Sequence, residues 1–188
     1  VMARISKVAG LNGIINEMVY EHINGEGRPL FGFGVGQDSK HPTVNIVQFG
    51  QGGTSLPDRD YYLKDDARTK KVQEAYKHYI VTLFSLTGTS EADAEKNAST
   101  IFTIETALAK AQLSRVAMRD PNKTYNKLSV VDFDKSTPHL EWSKLMPLMK
   151  VNGQDTVIVS NPDFYKAADA LLAATPVADW KVYLQWNI

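Results

Sequence analysis

Two long apolar stripes at helical spacing, separated only by Gly88-Thr89, set the strongest limit on what this chain can fold into. Val72, Ala75, Tyr76, Tyr79, Ile80, Leu83 and Leu86 recur at three- and four-residue intervals, which predicts a helix over about 67–87. Asp65 or Asp66 caps it and Gly88 ends it. Ser90, with Asp93 three residues on, is a capping-box start for a second helix to about residue 114. Its stripe is Ala94, Ala98, Ile101, Ile104, Leu108 and Ala111. So short a link favours antiparallel packing of the pair.

The rest of the chain reads as smaller pieces around this hairpin. Ile5, Val8, Leu11, Ile15, Met18 and Val19 predict one amphipathic helix over about 3–22. Gly10 and Gly13 weaken it by about 1 kcal/mol each relative to alanine. Leu30–Val35 and Val44–Phe49 alternate with period two, and Asp38–Pro42 joins them, so a β-hairpin is expected. Thr137-Pro138, Asn161-Pro162 and Thr175-Pro176 each read as a cap followed by proline at the first helical position. Thr156–Val159 is a short strand. The expected fold is mainly α with a small β-hairpin.

Composition removes several chemistries. The 188 residues suffice for one packed domain. Lys plus Arg and Asp plus Glu balance at 21 each, so no strong field draws nucleic acid. There is no cysteine, which excludes disulfides, thiolate metal sites and thiol nucleophiles. No run approaches the ~18–20 apolar residues of a membrane span, and Val1-Met2-Ala3-Arg4-Ile5 carries no signal-peptide core. Trp180–Ile188 has helical apolar spacing and no Gly or Pro stop, so this end is expected to pack against something further, as in a fragment.

The titratable residues form no recognised catalytic pattern. His22, His41, His78 and His139 are all far apart, and His-Glu-x-x-His is absent. His22 is expected as a cation at a helix C-terminus, His78 on a polar helix face and His41 on the hairpin loop. His139-Leu140-Glu141 matches half of a zinc deaminase signature but lacks its cysteines. An EF-hand frame begun at Asp58 puts Leu63 where glycine is needed and Thr69 where glutamate is needed. Asp58, Asp60, Asp65 and Asp66 are therefore expected to cap helices or pair with Arg59, Lys64 or Arg68. Gly32, Gly34 and Gly36 do not continue into a nucleotide loop, since residue 37 is Gln. They suit a strand closely approached by another backbone, or an edge that pairs with an extended peptide.

Leu56-Pro57-Asp58-Arg59-Asp60-Tyr61-Tyr62-Leu63 follows the predicted ribbon, in which Leu30–Val35, Asp38 and Lys40 stand. Glu105-x-x-Leu108-Ala109, Arg119-Asp120-Pro121, Tyr125-Asn126-Lys127-Leu128, Trp142 and Tyr183-Leu184-x-Trp186 come after it in order. This series resembles the N-terminal region of the neprilysin and endothelin-converting enzyme family of zinc metallopeptidases, in its bacterial oligoendopeptidase form. One departure is Thr54-Ser55, where bacterial relatives have Gly-Leu. The resemblance implies a two-lobed enzyme, with residues 1–64 supplying a helix, the hairpin and a connecting turn, and 65–188 part of a helical lid lobe. It also implies a parent that binds zinc and hydrolyses short peptides, its zinc ligands and general base lying outside the matching span. No residue here inherits a catalytic or metal role, and substrate-binding residues are not assigned. Leu56, Pro57, Arg59, Asp60, Tyr61 and Tyr62 are expected to be structural, holding the turn from ribbon to helix. The implied partners are a C-terminal catalytic portion, on the same polypeptide or a separate chain, and short peptides. The implied setting is bacterial, periplasmic or extracellular with some lipoproteins among such proteins, or cytoplasmic. The alternative is a self-contained helical module that binds peptides without hydrolysing them.

Overall fold

The computed structural model describes residues 1–188. Along the chain the elements are α1 (Met2–Ser6), α2 (Gly10–Asn24), β1 (Phe31–Asp38), β2 (His41–Gln51), α3 (Asp60–Leu63), α4 (Ala67–Leu86) and α5 (Glu91–Ala111). There follow α6 (Arg115–Met118), α7 (Pro121–Thr124), β3 (Asn126–Ser129), α8 (Val130–Ser136), α9 (Trp142–Leu148), β4 (Thr156–Val159), α10 (Pro162–Ala174) and α11 (Val177–Trp186). The fold is mainly α, as expected. No helix is long and apolar enough to cross a membrane.

The α4–α5 hairpin forms as its caps dictate. Asp66 accepts hydrogen bonds from the N–H groups of Arg68 and Thr69, and Ser90 accepts one from Asp93 N–H. Ala94, Ala98, Ile101, Ile104 and Leu108 are buried along α5. On α4 the buried apolar face is Tyr76, Ile80 and Phe84, whereas Ala75, Tyr79, Leu83 and Leu86 lie in solvent. Four of the seven residues of the predicted α4 stripe are thus exposed.

The predicted N-terminal helix is two helices. Gly10 takes a positive φ of 68°, which lets the chain turn sharply between α1 and α2. The β-hairpin is present with register Phe31↔Gln51 through Gln37↔Asn45 and a shift at Asp38. It belongs to a larger sheet, ordered β1-β2-β4-β3, in which β4 is parallel to β2 and antiparallel to β3. The Thr137-Pro138 expectation fails. Thr137 closes α8, its hydroxyl donating to Phe133 C=O and accepting from Trp142 Nε1–H at 2.9 Å, and α9 starts only at Trp142. Asn161 caps α10 as expected, but Pro176 rather than Thr175 stands at the cap of α11.

One core joins α1, α2, the sheet and α8–α11. At its centre Phe133 stacks on Trp142 at 4.7 Å between ring centroids, with Phe31, Phe49 and Tyr165 edge-on or tilted around them. A smaller core holds α3, α4 and α5 together, with Val182 and Trp186 of α11 against it. Asp38 is fully buried at the hairpin tip and accepts from Lys40 N–H, Tyr125 OH and Lys127 Nζ at 2.9–3.0 Å. Burial alone would raise its pKa, but these bonds outweigh it and hold the carboxyl well below its usual range.

Glu21 is the opposite case. It is 0% exposed and neither carboxyl oxygen has a hydrogen-bond partner. Arg4 pairs instead with Glu17, at 2.7 Å, and with Glu26. Burial, followed by the nearby Glu17, pushes the Glu21 carboxyl from 4.5 up to about 8. A carboxyl that holds its proton more tightly folded than unfolded lends stability that is full below about pH 4.5 and is lost as pH rises towards 8. We therefore expect Glu21→Gln to gain stability over the native chain progressively between about pH 4.5 and 8 in thermal melts. A constant difference across that range would contradict the burial argument.

Candidate functional site

The loop between β2 and α3, residues 52–59, is where the sheet body meets the helical hairpin. Glu105, in the middle of α5, is 0% exposed and organises it. Its Oε1 accepts from Ser55 N–H at 3.1 Å and Ser55 OH at 2.7 Å. Its Oε2 accepts from Tyr62 OH at 2.9 Å and Tyr76 OH at 2.7 Å. Tyr62 OH in turn accepts from Leu56 N–H, and Trp186 Nε1–H donates to Ser55 Oγ. One side chain thus links the loop, α3, α4, α5 and α11. Burial raises the Glu105 carboxyl, and the bonds from Tyr76, Ser55 and Tyr62 offset part of that. The Tyr62 and Tyr76 hydroxyls are pushed up by burial and then by the Glu105 charge, so both stay protonated as donors.

The loop is fixed from its other side as well. Gly53 has φ of 75°, and a Cβ there would stand 2.8 Å from Leu108, Leu30 and the Tyr183 hydroxyl, so no other residue fits without rearrangement. Tyr183 OH donates to Gly53 C=O and accepts from Leu30 N–H. Gln112 donates to Gly52 C=O and to Thr54 Oγ1.

The residues singled out in the sequence surround this node. Leu56 packs on the smaller core, and Tyr62 is buried. Arg59 donates to the carbonyls of Gln112 and Lys110, the free C-terminal carbonyls of α5, where a cation also complements the helix dipole. Pro57 C=O accepts from Arg115, and Tyr61 C=O accepts from Gln73. Asp60 pairs with Lys64 at 2.8 Å, both half exposed, which is worth little. Asp58 accepts from Asp60 N–H and pairs with Arg115, and Asp65 pairs with Lys70. Of the expected pairings for the acidic cluster, Lys64 is found, while Arg59 bonds only to carbonyls. Glu105 stood in the sequence only as part of a motif. Its signal was a carboxylate beside Ile101, Ile104 and Leu108 on a stripe otherwise apolar.

Other candidates resolve differently from expectation. His22 does not act as a helix-end cation. Its ring is stacked on Phe31 at 4.8 Å, its Nε2 meets Pro29 C=O at 3.0 Å, and burial lowers its pKa. His78 is exposed on α4, and His41 is exposed at the hairpin turn. His139 Nδ1 pairs with Asp169 Oδ2 at 2.8 Å, and Asp169 also accepts from the N–H groups of His139 and Leu140, so the pair anchors the start of a turn. Gly32 and Gly34 have nothing within 4 Å of a hypothetical Cβ, so the side that a side chain would occupy there is open. The Asp, Glu and His side chains form no group of three or more suited to a metal ion, and these residues do not fit a zinc site.

A second feature adjoins the node. The exposed Tyr79, Leu83 and Leu86 of α4, with Met2, Trp186 and Ile188, border an open hollow of about 630 Å³. Ser55 and Gly53 lie on its floor.

This architecture recurs as one part of larger solved proteins. It matches the Mycobacterium tuberculosis zinc metalloprotease Zmp1 in complex with an inhibitor at a TM-score of 0.91 and 28% identity, covering 99% of this chain and 28% of that one. PepO from Lactobacillus rhamnosis, at 17% identity and a TM-score of 0.78, shares the fold. Residues 6–188 match the model of peptidase family M13, and the chain belongs to that family. Endothelin-converting enzyme 1 of Rattus norvegicus is 27% identical over 165 residues, and Neprilysin-3 of Drosophila melanogaster 28% over 169. The chain spans only 22% of the length of each of these two relatives.

Three expectations follow from the node. Tyr62→Phe, which leaves both Glu105 and Leu56 N–H short of a partner, should cost about 2–3 kcal/mol, and Tyr76→Phe about 1–2 kcal/mol, in urea unfolding. Arg59→Met should cost about 1–2 kcal/mol by uncovering the carbonyls that end α5.

Proposed function

We propose that this chain is the noncatalytic N-terminal portion of a neprilysin-like zinc metalloendopeptidase, and that it contributes the helical lobe that encloses the substrate cavity. The observation that carries this reading is the exposed apolar border of Tyr79, Leu83, Leu86 and Ile188, in a chain that matches 28% of the length of the Zmp1 chain. Apolar side chains at core spacing yet in solvent mark a surface that another body covers. The parent would hydrolyse short peptides, with zinc polarising the carbonyl and activating water. Its zinc ligands and general base belong to the remaining polypeptide, which is the partner proposed here. A lobe that closes over the cavity would exclude water and bulky proteins.

On this reading residues 1–64 supply a helix, the β-hairpin and the connecting turn, and 65–188 part of the helical lid lobe. Leu56, Pro57, Arg59, Asp60, Tyr61 and Tyr62 serve the joint between them rather than substrate. A bacterial exported setting, periplasmic or extracellular, accompanies the proposal through the family resemblance. The rival is a peptide-binding module without hydrolysis, favoured by the open glycine face of β1, which borders a hollow of about 480 Å³.

The test uses the purified 188-residue chain with equimolar Zn²⁺ and a quenched fluorescent peptide that carries hydrophobic residues and an amidated C-terminus. No cleavage above the zinc-only control is expected, and no saturable binding of the same peptide. Zinc-dependent cleavage would overturn the noncatalytic assignment, and saturable binding without cleavage would favour the rival.

A further inference from the structure

Between the Pro57-Asp58-Arg59 turn and the segment that leaves α5 lies a cleft of about 340 Å³. Three of its nine lining residues are arginines, Arg59, Arg115 and Arg119, and its one carboxylate is Asp58. It lies away from the apolar hollow beside Trp186 and shares no lining residue with it.

The donors outnumber the acceptors. Each guanidinium carries five N–H groups. Arg59 directs two nitrogens to the carbonyls of Gln112 and Lys110. Arg115 directs Nε to Asp58 at 3.2 Å and Nη2 to Pro57 C=O at 2.8 Å. Arg119 is exposed and makes no side-chain hydrogen bond or ion pair. Two of the three guanidiniums are therefore held in place by protein acceptors, so less side-chain freedom is left to lose when a ligand arrives. The remaining N–H edges carry an excess of positive charge. Planar guanidinium forks match the oxygens of a carboxylate or phosphate two at a time.

We propose that this cleft binds an oxyanion, a carboxylate or phosphate group, held by Arg119 together with the N–H edges that Arg59 and Arg115 leave free. Its volume suits one small anionic group or the end of a peptide. The site stands apart from the peptidase reading and needs no catalytic residue.

The test follows the amide and arginine N–H signals of the ¹⁵N-labelled chain during three titrations at low salt. The ligands are inorganic phosphate, a short neutral peptide with a free C-terminal carboxylate, and the same peptide amidated. Saturable shifts concentrated at residues 57–59 and 112–119 are expected, with affinity at least tenfold weaker in Arg119→Met and in Arg115→Met. Response to phosphate alone assigns a phosphate ligand, and response to the free-carboxylate peptide but not its amide assigns a peptide terminus. Either supports the site. Absence of saturable shifts with all three ligands, or unchanged affinity in Arg119→Met, overturns it. Arg119 is exposed, so its replacement leaves the fold intact, and an unchanged spectrum of the free variant verifies this.

Discussion

A single buried carboxylate decides how the two parts of this molecule meet. Glu105 sits at the middle of α5 with no exposure to water, where an unpaired charge would be prohibitive. Four donors from Ser55, Tyr62 and Tyr76 make it tolerable. Those donors come from a loop, a one-turn helix and α4, so each is placed only when the others are. The Leu-Pro-Asp-Arg-Asp-Tyr-Tyr segment has its physical meaning here. Tyr62 reaches the carboxylate, Arg59 closes the open carbonyls of α5, and Asp58 holds the turn between them.

This joint also explains why the apolar hollow borders the node. Trp186, whose indole donates to Ser55, stands edge-on to Tyr76 and Tyr79, so α11 ends against the same loop that Glu105 holds. A body docking over Tyr79, Leu83 and Leu86 would rest on a surface whose floor is fixed by buried hydrogen bonds. The contrast with Glu21 is instructive. Both carboxyls are fully buried, but Glu21 lacks donors and holds a proton instead.

The α4–α5 hairpin and the β1–β2 ribbon are legible in the sequence because local signals agree. Asp66 and Ser90 cap where periodic apolar residues begin, and two strand-like runs joined by a short turn segment pair as a hairpin. The stripe of α4 gives a face but not its partner, which is why Tyr79 and Leu83 read as core and stand in solvent. The strand at Asn126–Ser129 has no alternating apolar pattern, and its identity comes from pairing with β4. Thr137-Pro138 resembles a helix start, yet tertiary bonds to Phe133 and Trp142 claim the threonine. Of the node, Tyr62 and Arg59 were marked by their motif and Tyr76 by the apolar stripe of α4. Glu105 was marked only within Glu105-x-x-Leu108-Ala109, and its role as acceptor becomes legible once distant donors converge on it.

The most direct test of this account is the equilibrium unfolding of Glu105→Ala in urea, followed by tryptophan fluorescence. Truncation leaves the hydroxyls of Tyr62 and Tyr76 buried without their acceptor and opens a cavity among α3, α4 and α5. The account predicts a loss of about 3 kcal/mol or more. A change within about 0.5 kcal/mol, the range of an ordinary surface substitution, would contradict it.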